Sequence, residues 1–471
     1  MAGKETEAMK VLWICNIMLP VIAQHLKKPA SNKEGWLTGL LEEILKPEKS
    51  QEENRIKLGV AFPGDESLTG YREEFGRMIC YGFAENTAAA HEYDPQLEEQ
   101  MRKILEDFKP DVVHCFGTEY GHTLAAVRAC RDPQKVLIGI QGLCSVYADA
   151  YMADLPKKVI RNVTLRDFLK RDSLPKQREK YVQRGEKEIE AIKETGNVTG
   201  RTGWDRYYTH KWNPDAEYFL LNETLRPEFY TGKWEPGKCE PHRIFLSQGD
   251  YPIKGLHYML LALPDILKVY PDTRICVAGN SIIHSRFRIL GTMKILETLG
   301  TSSYGNYIRK LIRQYHLEEK VEFAGRLDAA GMKKEYLRSG LFVCCSSIEN
   351  SPNSLGEAML LGMPCVSADV GGIQDIFTAD RDGIVYRGYR SGRDEYYNKR
   401  DEMEYPEGNL KDTVNALKDA VLQMFSDLDK AIWYGENARE HAKITHDRGM
   451  NSERLMEIYA EIATKPLRNG D

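Results

Sequence analysis

Several patterns are missing from this sequence, and each absence argues against one class of protein. The ten cysteines form no C-x-x-C pair, so the ligand spacing of a zinc site is absent. The net charge of −5 leaves no excess of positive charge that could neutralise nucleic-acid phosphates. No G-x-G-x-x-G follows the first strand expected in either half, which argues against a dinucleotide-dependent oxidoreductase. We therefore expect neither a metal ion nor a nucleic-acid partner.

The apolar runs are short as well. The run "VLWICNIMLPVIA" (11–23) is shorter than the ~20 residues that cross a bilayer, and no clear signal-peptide cleavage site follows it. We interpret it as a buried first strand with its loop. Several cysteines also lie in apolar runs, as expected for buried thiols in a reducing compartment. These features predict a cytoplasmic protein.

Short apolar runs alternate with amphipathic stretches, which is the pattern of parallel α/β units. In the first half we expect strands in "VLWICN", "RIKLGVAF", "PDVVHCFG" and "KVLIGIQG". The pattern restarts with "HRIFLSQG", "TRICVAGN", "KVEFAG", "LFVCCSS" and "MPCVSAD". A segment rich in Pro, Gly and charge (222–242) separates the two halves, so the sequence predicts two doubly wound domains. The polar stretch 391–408 is expected to be a surface loop.

One stretch carries the chemistry, "SSIENSPNSLGEAMLLGMPCVSADVGG" (346–372). It follows an expected strand, and the carboxyl edge of a doubly wound sheet is where ligands bind. A helix should begin with Ser354 or Asn353 as N-cap, which leaves backbone N–H groups free to cradle a phosphate. Glu357 would fall in the first helical turn and suit a ribose, and Glu349 in the loop could accept hydrogen bonds from sugar hydroxyls. Chance and ordinary capping are the alternative explanation for the two glutamates.

This stretch resembles the E-x7-E region of glycosyltransferase family 4, retaining enzymes of the GT-B fold. "QGDYPIKGLHYMLLALPDILKVYPDTRICVAG" resembles the family's Lys-Gly turn with its helix and strand, and "KVEFAGRLDAAGMKKEYLRSGLFVCCSS" resembles the next strand and helix. "GGIQDIF" resembles a Gly-Gly-x-x-Glu segment with Asp375 in place of the glutamate. The resemblance is specific from about residue 243 to 390 and is weaker before 240.

The resemblance implies an α/β chain of GT-B type, with two Rossmann-like doubly wound domains facing across a cleft. The acceptor domain would cover 1–225, with a C-terminal helix of about 447–471 packing back on it, and the nucleotide-sugar domain would cover 240–446. Such enzymes move a hexose from a nucleotide sugar, here a UDP-sugar, to an acceptor hydroxyl, usually without a metal. A bacterial surface polysaccharide or glycolipid would be the product, with a glycan or lipid-linked acceptor. A soluble acceptor and a catalytically silent sugar-nucleotide-binding subunit are the alternatives.

The resemblance also assigns roles on the donor side. Glu349 would contact the donor sugar, Glu357 the ribose and Lys254 the diphosphate. Ser354 and Leu355 would offer backbone N–H groups to the diphosphate, and Asn353 belongs to the same helix start. Arg326 is a further donor-side candidate that could equally form a structural salt bridge. Gly35 resembles the family's glycine loop near the donor phosphate, and a plain helix start is the alternative.

Two departures from the family pattern concern charge and base chemistry. The family's arginine before the lysine is replaced by Gln248 or Gly249. Gln141 stands where the family has an acceptor-side histidine, and it can hydrogen-bond a sugar but cannot act as a base. Arg201 and Asp205, in "GRTGWDRYYTH" (200–210), are acceptor-side candidates, and a capped helix start headed by Asp205 is the alternative.

A basic stretch, 155–187, holds eleven Lys/Arg against four Asp/Glu with apolar residues interleaved. A basic amphipathic segment can lie on an anionic membrane, which would place the protein at the inner face of the membrane. A solvated helix with its apolar side on the core is the alternative.

Overall fold

The computed structural model describes residues 8–28, 35–46, 56–280, 282, 301–389, 395–396 and 409–466. The chain divides into two compact units. Unit 1 consists of 1–145, 181–226 and 446–471, and unit 2 consists of 146–180 and 227–445. Within the described residues, no helix is both long enough and apolar enough to cross a bilayer.

The described part of unit 1 has one sheet of eight strands in the order β3-β4-β2-β1-β5-β6-β7-β8. All neighbouring strands are parallel except β3 and β4, which form an antiparallel pair. The strands are β1 Met9–Ile14, β2 Ile56–Gly64, β3 Arg72–Phe75, β4 Met78–Ala84, β5 Val112–Phe116, β6 Val136–Gly139, β7 Asn197–Gly200 and β8 Glu217–Leu220. The helices are Pro20–His25, Gly35–Ile44, Gln96–Phe108, Gly121–Ala129, Gly203–Trp212 and Arg448–Thr464. Two further helices, Cys144–Ala150 and Leu174–Glu194, each contain a boundary between the two units along the chain.

Two apolar clusters, formed by alternate residues of the same strands, hold helices against this sheet. One cluster includes Trp13 and the helices Gly35–Ile44 and Arg448–Thr464. The other includes Leu12 and the helix Gln96–Phe108. Tyr459 of the C-terminal helix accepts a 2.8 Å hydrogen bond from the Trp13 indole, so that helix is fixed to unit 1 by polar as well as apolar contacts.

The described part of unit 2 has a six-stranded parallel sheet in the order β11-β10-β9-β12-β13-β14. The strands are β9 Glu240–Leu246, β10 Arg274–Ala278, β11 Val321–Gly325, β12 Ser339–Cys344, β13 Cys365–Ala368 and β14 Ile384–Tyr386. The helices are Lys157–Arg161, Leu165–Leu169, Leu256–Val269, Ser303–Gln314, Ala329–Arg338, Asn353–Leu361, Ile373–Ile376, Leu410–Ser426 and Leu428–Thr445. This order, counted from β9, is that of a doubly wound dinucleotide-type sheet, and the direction of winding reverses between β9 and β12. The prediction of an α/β chain with two Rossmann-like parallel sheets is confirmed.

The segment 146–180 lies in unit 2, whereas the predicted first domain of 1–225 contained it. Its partners explain the difference. The Tyr258 hydroxyl donates to Asp154 at 3.1 Å, and the Ser347 hydroxyl lies 3.2 Å from the carbonyl oxygen of Ala150. Buried polar groups need partners, and this segment finds them in unit 2.

The basic stretch is not one helix, because it contains Lys157–Arg161, Leu165–Leu169 and most of Leu174–Glu194. The predicted surface loop 391–408 lies outside the described residues except for 395–396.

Candidate functional site

The predicted lysine and glutamate meet at the point in unit 2 where the winding of the sheet reverses. Lys254 ends a short 3-10 turn, Pro252–Lys254, that follows β9, and Glu349 lies in the loop after β12. Since β9 and β12 are neighbours in the sheet, both loops open at one edge. Lys254 Nζ lies 2.5 Å from Glu349 Oε1. The two residues that sequence analysis assigned to the donor diphosphate and donor sugar are therefore ion-paired.

A glycine allows the two loops to approach each other. Gly255, directly after the lysine, has φ of +72°, and a Cβ atom there would lie 1.8 Å from the carbonyl oxygen of Cys345. The backbone N–H of Ser347 also donates to the carbonyl of Ile253 at 2.7 Å. Only glycine fits this left-handed, crowded position, so the lysine turn is locked against the loop after β12.

The ion pair is largely withdrawn from solvent. The side chains of Lys254 and Glu349 are 20% and 8% exposed, and the Ser346 hydroxyl also donates to Glu349 Oε1 at 2.6 Å. Burial alone would lower the pKa of Lys254. The carboxylate of Glu349, with smaller contributions from Tyr251 and Tyr147, outweighs it and holds that pKa well above its usual range. Lys254 is therefore a permanent cation in this site.

The helix after the loop begins differently from the sequence prediction. It spans Asn353–Leu361, and its N-cap is Pro352, which makes no side-chain cap, rather than Ser354 or Asn353. By position, the N–H groups of Asn353 and Ser354 have no intrahelical acceptor, whereas the Leu355 N–H already donates to the carbonyl of Pro352 at 2.9 Å. Within the described residues, the buried Oδ1 atom of Asn353 has no hydrogen-bond partner. This helix start therefore presents polar groups that a ligand could bind.

Glu357 was predicted to lie in the first helical turn. It is the fifth residue of the helix Asn353–Leu361 and therefore lies beyond that turn. Its side chain is buried, and a tyrosine from the helix before β12 contacts it. The Tyr336 hydroxyl oxygen lies 2.8 Å from the carbonyl oxygen of Ser354 and 3.4 Å from Glu357 Oε2. One phenol thus fixes both the helix start and the buried carboxylate.

Arg326 lies at the carboxyl ends of β10 and β11. Its Nε donates to Asn280 Oδ1 at 2.5 Å, and the Asn280 amide donates to Asp250 Oδ2 at 2.8 Å. Asp250 comes directly after Gln248 and Gly249, where the family arginine is missing. Among the residues that the structure describes, Arg326 is thus linked to a carboxylate through an amide rather than paired with one directly. Among the described residues, no group of three or more His, Cys, Asp or Glu side chains is placed to hold a metal ion.

The acceptor-side candidates lie together in unit 1, in a tightly bonded setting. Arg201 forms a buried ion pair with Glu223 at 2.6 Å, and its guanidinium donates to the carbonyl of Gln141 at 3.0 Å. Asp205 is fully buried and forms a capping box with Thr202, so the helix is headed by Thr202 and not by Asp205. Arg201, Asp205 and the backbone of Gln141 therefore have structural partners within unit 1.

Gly35 begins the helix Gly35–Ile44, as expected for a helix start. A Cβ atom there would lie 2.5 Å from Cγ of Arg226, so the position also allows close packing of that arginine.

An open pocket that the sequence analysis missed lies in unit 1 at the carboxyl ends of β1, β2 and β4. Its described lining contains four carboxylates and no Lys or Arg: Asp65, Glu66, Glu85 and Asp94. Glu85 pairs with His122 at 2.6 Å, and His122 also contacts Asn16 Oδ1 at 3.0 Å. The signal in the sequence was a polar residue within two positions of the end of each strand, Asn16, Asp65 and Glu85, at the edge where ligands bind. Ser346 and Tyr336 were also missed, because nothing local distinguishes a serine in a loop or a tyrosine in a helix.

Solved structures resemble the whole chain. Sucrose-phosphate synthase from Thermosynechococcus elongatus has a TM-score of 0.65 at 13% identity, over 96% of this chain and 99% of its own. HepE of Anabaena in complex with UDP-glucose has a TM-score of 0.58 at 14% identity, over 96% and 100%. This likeness, with the two parallel sheets, confirms the predicted GT-B fold class.

Sequence similarity is confined to part of the chain. The phosphatidyl-myo-inositol mannosyltransferase of Propionibacterium freudenreichii subsp. shermanii is 27% identical over 178 residues, which are 38% of this chain and 36% of that enzyme. The chain spans less than half the length of the curated relatives that it matches. The model of the family described as glycosyl transferases group 1 matches residues 232–393, which contain the lysine–glutamate pair and the helix after it. In these residues the chain is similar to the family of glycosyl transferases group 1.

Proposed function

We propose that this protein is a retaining glycosyltransferase that moves a hexose from a UDP-sugar to an acceptor hydroxyl without a metal ion. The observation that carries the proposal is the ion pair of Lys254 and Glu349, 2.5 Å apart where the winding of a nucleotide-binding type of sheet reverses. A lysine held charged at this edge suits a diphosphate, and a carboxylate beside it suits sugar hydroxyls.

The donor-side chemistry follows from charge. Cleavage of the bond between sugar and diphosphate puts negative charge on the departing phosphate and positive charge on the sugar. Lys254 and the free N–H groups of Asn353 and Ser354 would stabilise that negative charge, because fixed donors in a partly dry site need no reorganisation. Glu349 would bind the donor sugar, and Glu357, held by Tyr336, would accept hydrogen bonds from the ribose.

The acceptor would bind in the pocket of unit 1 at the ends of β1, β2 and β4. Four carboxylates line it, so an acceptor substrate that places a phosphate there would be repelled. Neutral sugar hydroxyls, by contrast, could donate hydrogen bonds to these carboxylates. This favours the sugar end of a glycan or of a lipid-linked glycan. Gln141 cannot accept a proton, so in a front-face mechanism the leaving phosphate would take the proton from the acceptor hydroxyl.

The wider role is proposed from relatives. HepE was solved with UDP-glucose, and the mannosyltransferase is named for a phosphatidylinositol acceptor. By analogy, the product would be a bacterial surface polysaccharide or glycolipid.

A donor screen tests the proposal. Thermal shift and hydrolysis would be measured with UDP-, GDP- and ADP-sugars, each with and without EDTA. Lys254→Ala and Glu357→Ala would be compared with Lys238→Ala, an exposed lysine that pairs with Glu235. A UDP-sugar that stabilises the protein in EDTA, with the effect lost only in the two site variants, would support the assignment.

Other outcomes distinguish the alternatives. Binding that requires a metal would contradict the metal-free mechanism while leaving the donor site in place. Binding without hydrolysis or transfer would favour the catalytically silent subunit, and no response to any donor would contradict the donor site itself.

A further inference from the structure

Four apolar side chains of unit 2 are turned toward solvent on a short stretch of chain. They are at least half exposed: Val163 at 53%, Leu165 at 50%, Phe168 at 72% and Leu169 at 71%. Leu165, Phe168 and Leu169 belong to the helix Leu165–Leu169, and Val163 lies just before it. Single exposed apolar residues are ordinary, but four within seven positions form a patch that requires an explanation.

The short helix that carries the patch is fixed to unit 2 through a buried carboxylate, Asp167. Asp167, 2% exposed, accepts a hydrogen bond from the Ser303 N–H at 2.8 Å and completes a capping box with Thr164. The Ser303 hydroxyl donates to the carbonyl of Val159 at 2.7 Å, which ties the preceding helix to the same point. The carboxylate is thus inside and the phenyl ring outside, the reverse of the usual arrangement.

The surroundings of the patch are strongly basic. Residues 157–171, here called the basic tip, contain six Lys/Arg and one Asp, an excess of five positive charges in a chain whose net charge is −5. The single acid, Asp167, is buried and pairs with Arg166 at 2.9 Å. The other five cations are exposed, and none forms an ion pair with any residue that the structure describes: Lys157, Lys158, Arg161, Lys170 and Arg171.

The helix that follows the basic tip differs in this respect. Lys176 pairs with Glu179 at 2.6 Å, and Lys180 lies 3.5 Å from Asp172. These cations have acidic partners within the protein. The uncompensated charge is therefore confined to the basic tip, a narrower region than the stretch 155–187 predicted from sequence.

We propose that the basic tip binds an anionic lipid surface, with Phe168 and Leu169 in the interfacial layer and the five unpaired cations facing phosphate headgroups. Aromatic and aliphatic side chains beside lysines and arginines suit that boundary, where one side is apolar and the other carries negative charge. The tip comprises 15 residues, whereas a specific protein interface takes roughly 20–30 residues on each side. The remainder of the chain carries a compensating negative charge, so the contact has to be local. The proposal does not depend on the donor or the acceptor.

Co-sedimentation of the full chain with vesicles tests this inference. We expect binding to phosphatidylcholine vesicles that contain phosphatidylglycerol, little binding to phosphatidylcholine alone, and loss of binding at high salt. Phe168→Ser should weaken binding ~10-fold, because the ring would no longer leave water. Lys170→Gln and Arg171→Gln should each weaken it ~5-fold.

Matched control variants distinguish binding by this surface from nonspecific electrostatic or hydrophobic binding. Trp433→Ser removes an apolar side chain that is 50% exposed elsewhere in unit 2, and Lys176→Gln removes a paired cation. Neither should change vesicle binding, and circular dichroism should be unchanged in every variant because the altered side chains are exposed. The proposal is wrong if the wild type does not bind anionic vesicles at low salt, or if Phe168→Ser binds as well as the control variants. It is also overturned if Phe168→Ser instead dissociates a dimer on size-exclusion chromatography.

Discussion

Replacement of Glu349 by glutamine should tighten the binding of UDP, although it removes a residue of the proposed active site. In the structure, Lys254 is already paired with Glu349 at 2.5 Å. A diphosphate that binds Lys254 has to displace this carboxylate and also meets its negative charge. Glu349→Gln removes both penalties. Because UDP lacks the transferred hexose, it loses nothing from the absence of the residue proposed to bind that sugar.

The magnitude follows from the exposure of the pair. A hydrogen bond to a charged group contributes about 1.5–3 kcal/mol. Water reaches Lys254, whose side chain is 20% exposed, so the lower part of that range applies. If the competing interaction of Glu349 with Lys254, worth about 1.5 kcal/mol, is removed, UDP should bind roughly tenfold more tightly. The same change leaves a partly buried lysine without its anion, so the free energy of unfolding should fall by about 1–2 kcal/mol.

Titration calorimetry with UDP in EDTA, together with thermal unfolding, measures both quantities. Glu240→Gln is the matched control, because Glu240 pairs with Arg338 at 2.7 Å in the same unit but at the opposite end of β9. It should leave UDP affinity unchanged. Transfer from a UDP-sugar should fall sharply in Glu349→Gln, since the group proposed to bind the donor sugar is gone.

In Glu349→Gln, UDP affinity should rise while stability and transfer fall, so the measured UDP affinity alone can refute the prediction. If folded Glu349→Gln binds UDP as weakly as the wild type or more weakly, Lys254 does not serve the diphosphate in the way proposed. If UDP affinity rises equally in Glu240→Gln, the effect is one of net charge alone.

Three further changes test individual groups. Burial raises the pKa of Glu188 to about 7 from 4.5, so the protonated form stabilises the fold fully below about pH 4.5, and this stabilisation is lost as pH rises through 7. The free energy of unfolding should therefore fall by roughly 3 kcal/mol between about pH 4.5 and pH 9. Glu188→Gln should abolish that fall, as measured by urea unfolding. Tyr336→Phe removes the hydroxyl that holds the helix start and the buried carboxylate, so the KM for donor should rise about fivefold, for about 1 kcal/mol, in steady-state kinetics. Gly255→Ala would place a Cβ atom against the carbonyl of Cys345 and should cost at least about 2 kcal/mol in urea unfolding, whereas Gly237→Ala, with open space around it, should be nearly neutral.

Elements with a strong local signal could be predicted from the sequence. The helix Gln96–Phe108 has such a signal, because Leu97, Met101, Ile104 and Phe108 repeat at helical spacing and all are buried. The strand Asn197–Gly200 was missed. Its four residues, Asn-Val-Thr-Gly, form no apolar run, and it is a strand because β6 and β8 pair with it on either side. Pairing between distant segments leaves no local pattern to detect.

The site shows the same division. The order of strand, loop and helix around Glu349 could be predicted, because each element has its own periodicity and the ends of parallel strands are known binding positions. The N-cap could not, because Pro352, with φ of −70°, begins the helix without a side-chain hydrogen bond. The contact of Lys254 with Glu349 joins residues 95 positions apart and depends on β9 and β12 being neighbours. Sequence spacing alone gives no information on that distance.

The pairing of Lys254 with Glu349 bears on how the proposed enzyme would exchange its ligands. An unpaired buried cation is costly, so a donor site that waits empty needs an internal anion for its lysine. Glu349 supplies it, and an entering diphosphate would exchange one anion for another at Lys254 while the carboxylate turns to the sugar hydroxyls. After transfer, the sugar has left and the carboxylate can return to the lysine. Re-formation of the ion pair would then compete directly with bound UDP. The same contact that weakens UDP binding would therefore favour product release, and slower UDP release in Glu349→Gln would be its kinetic signature.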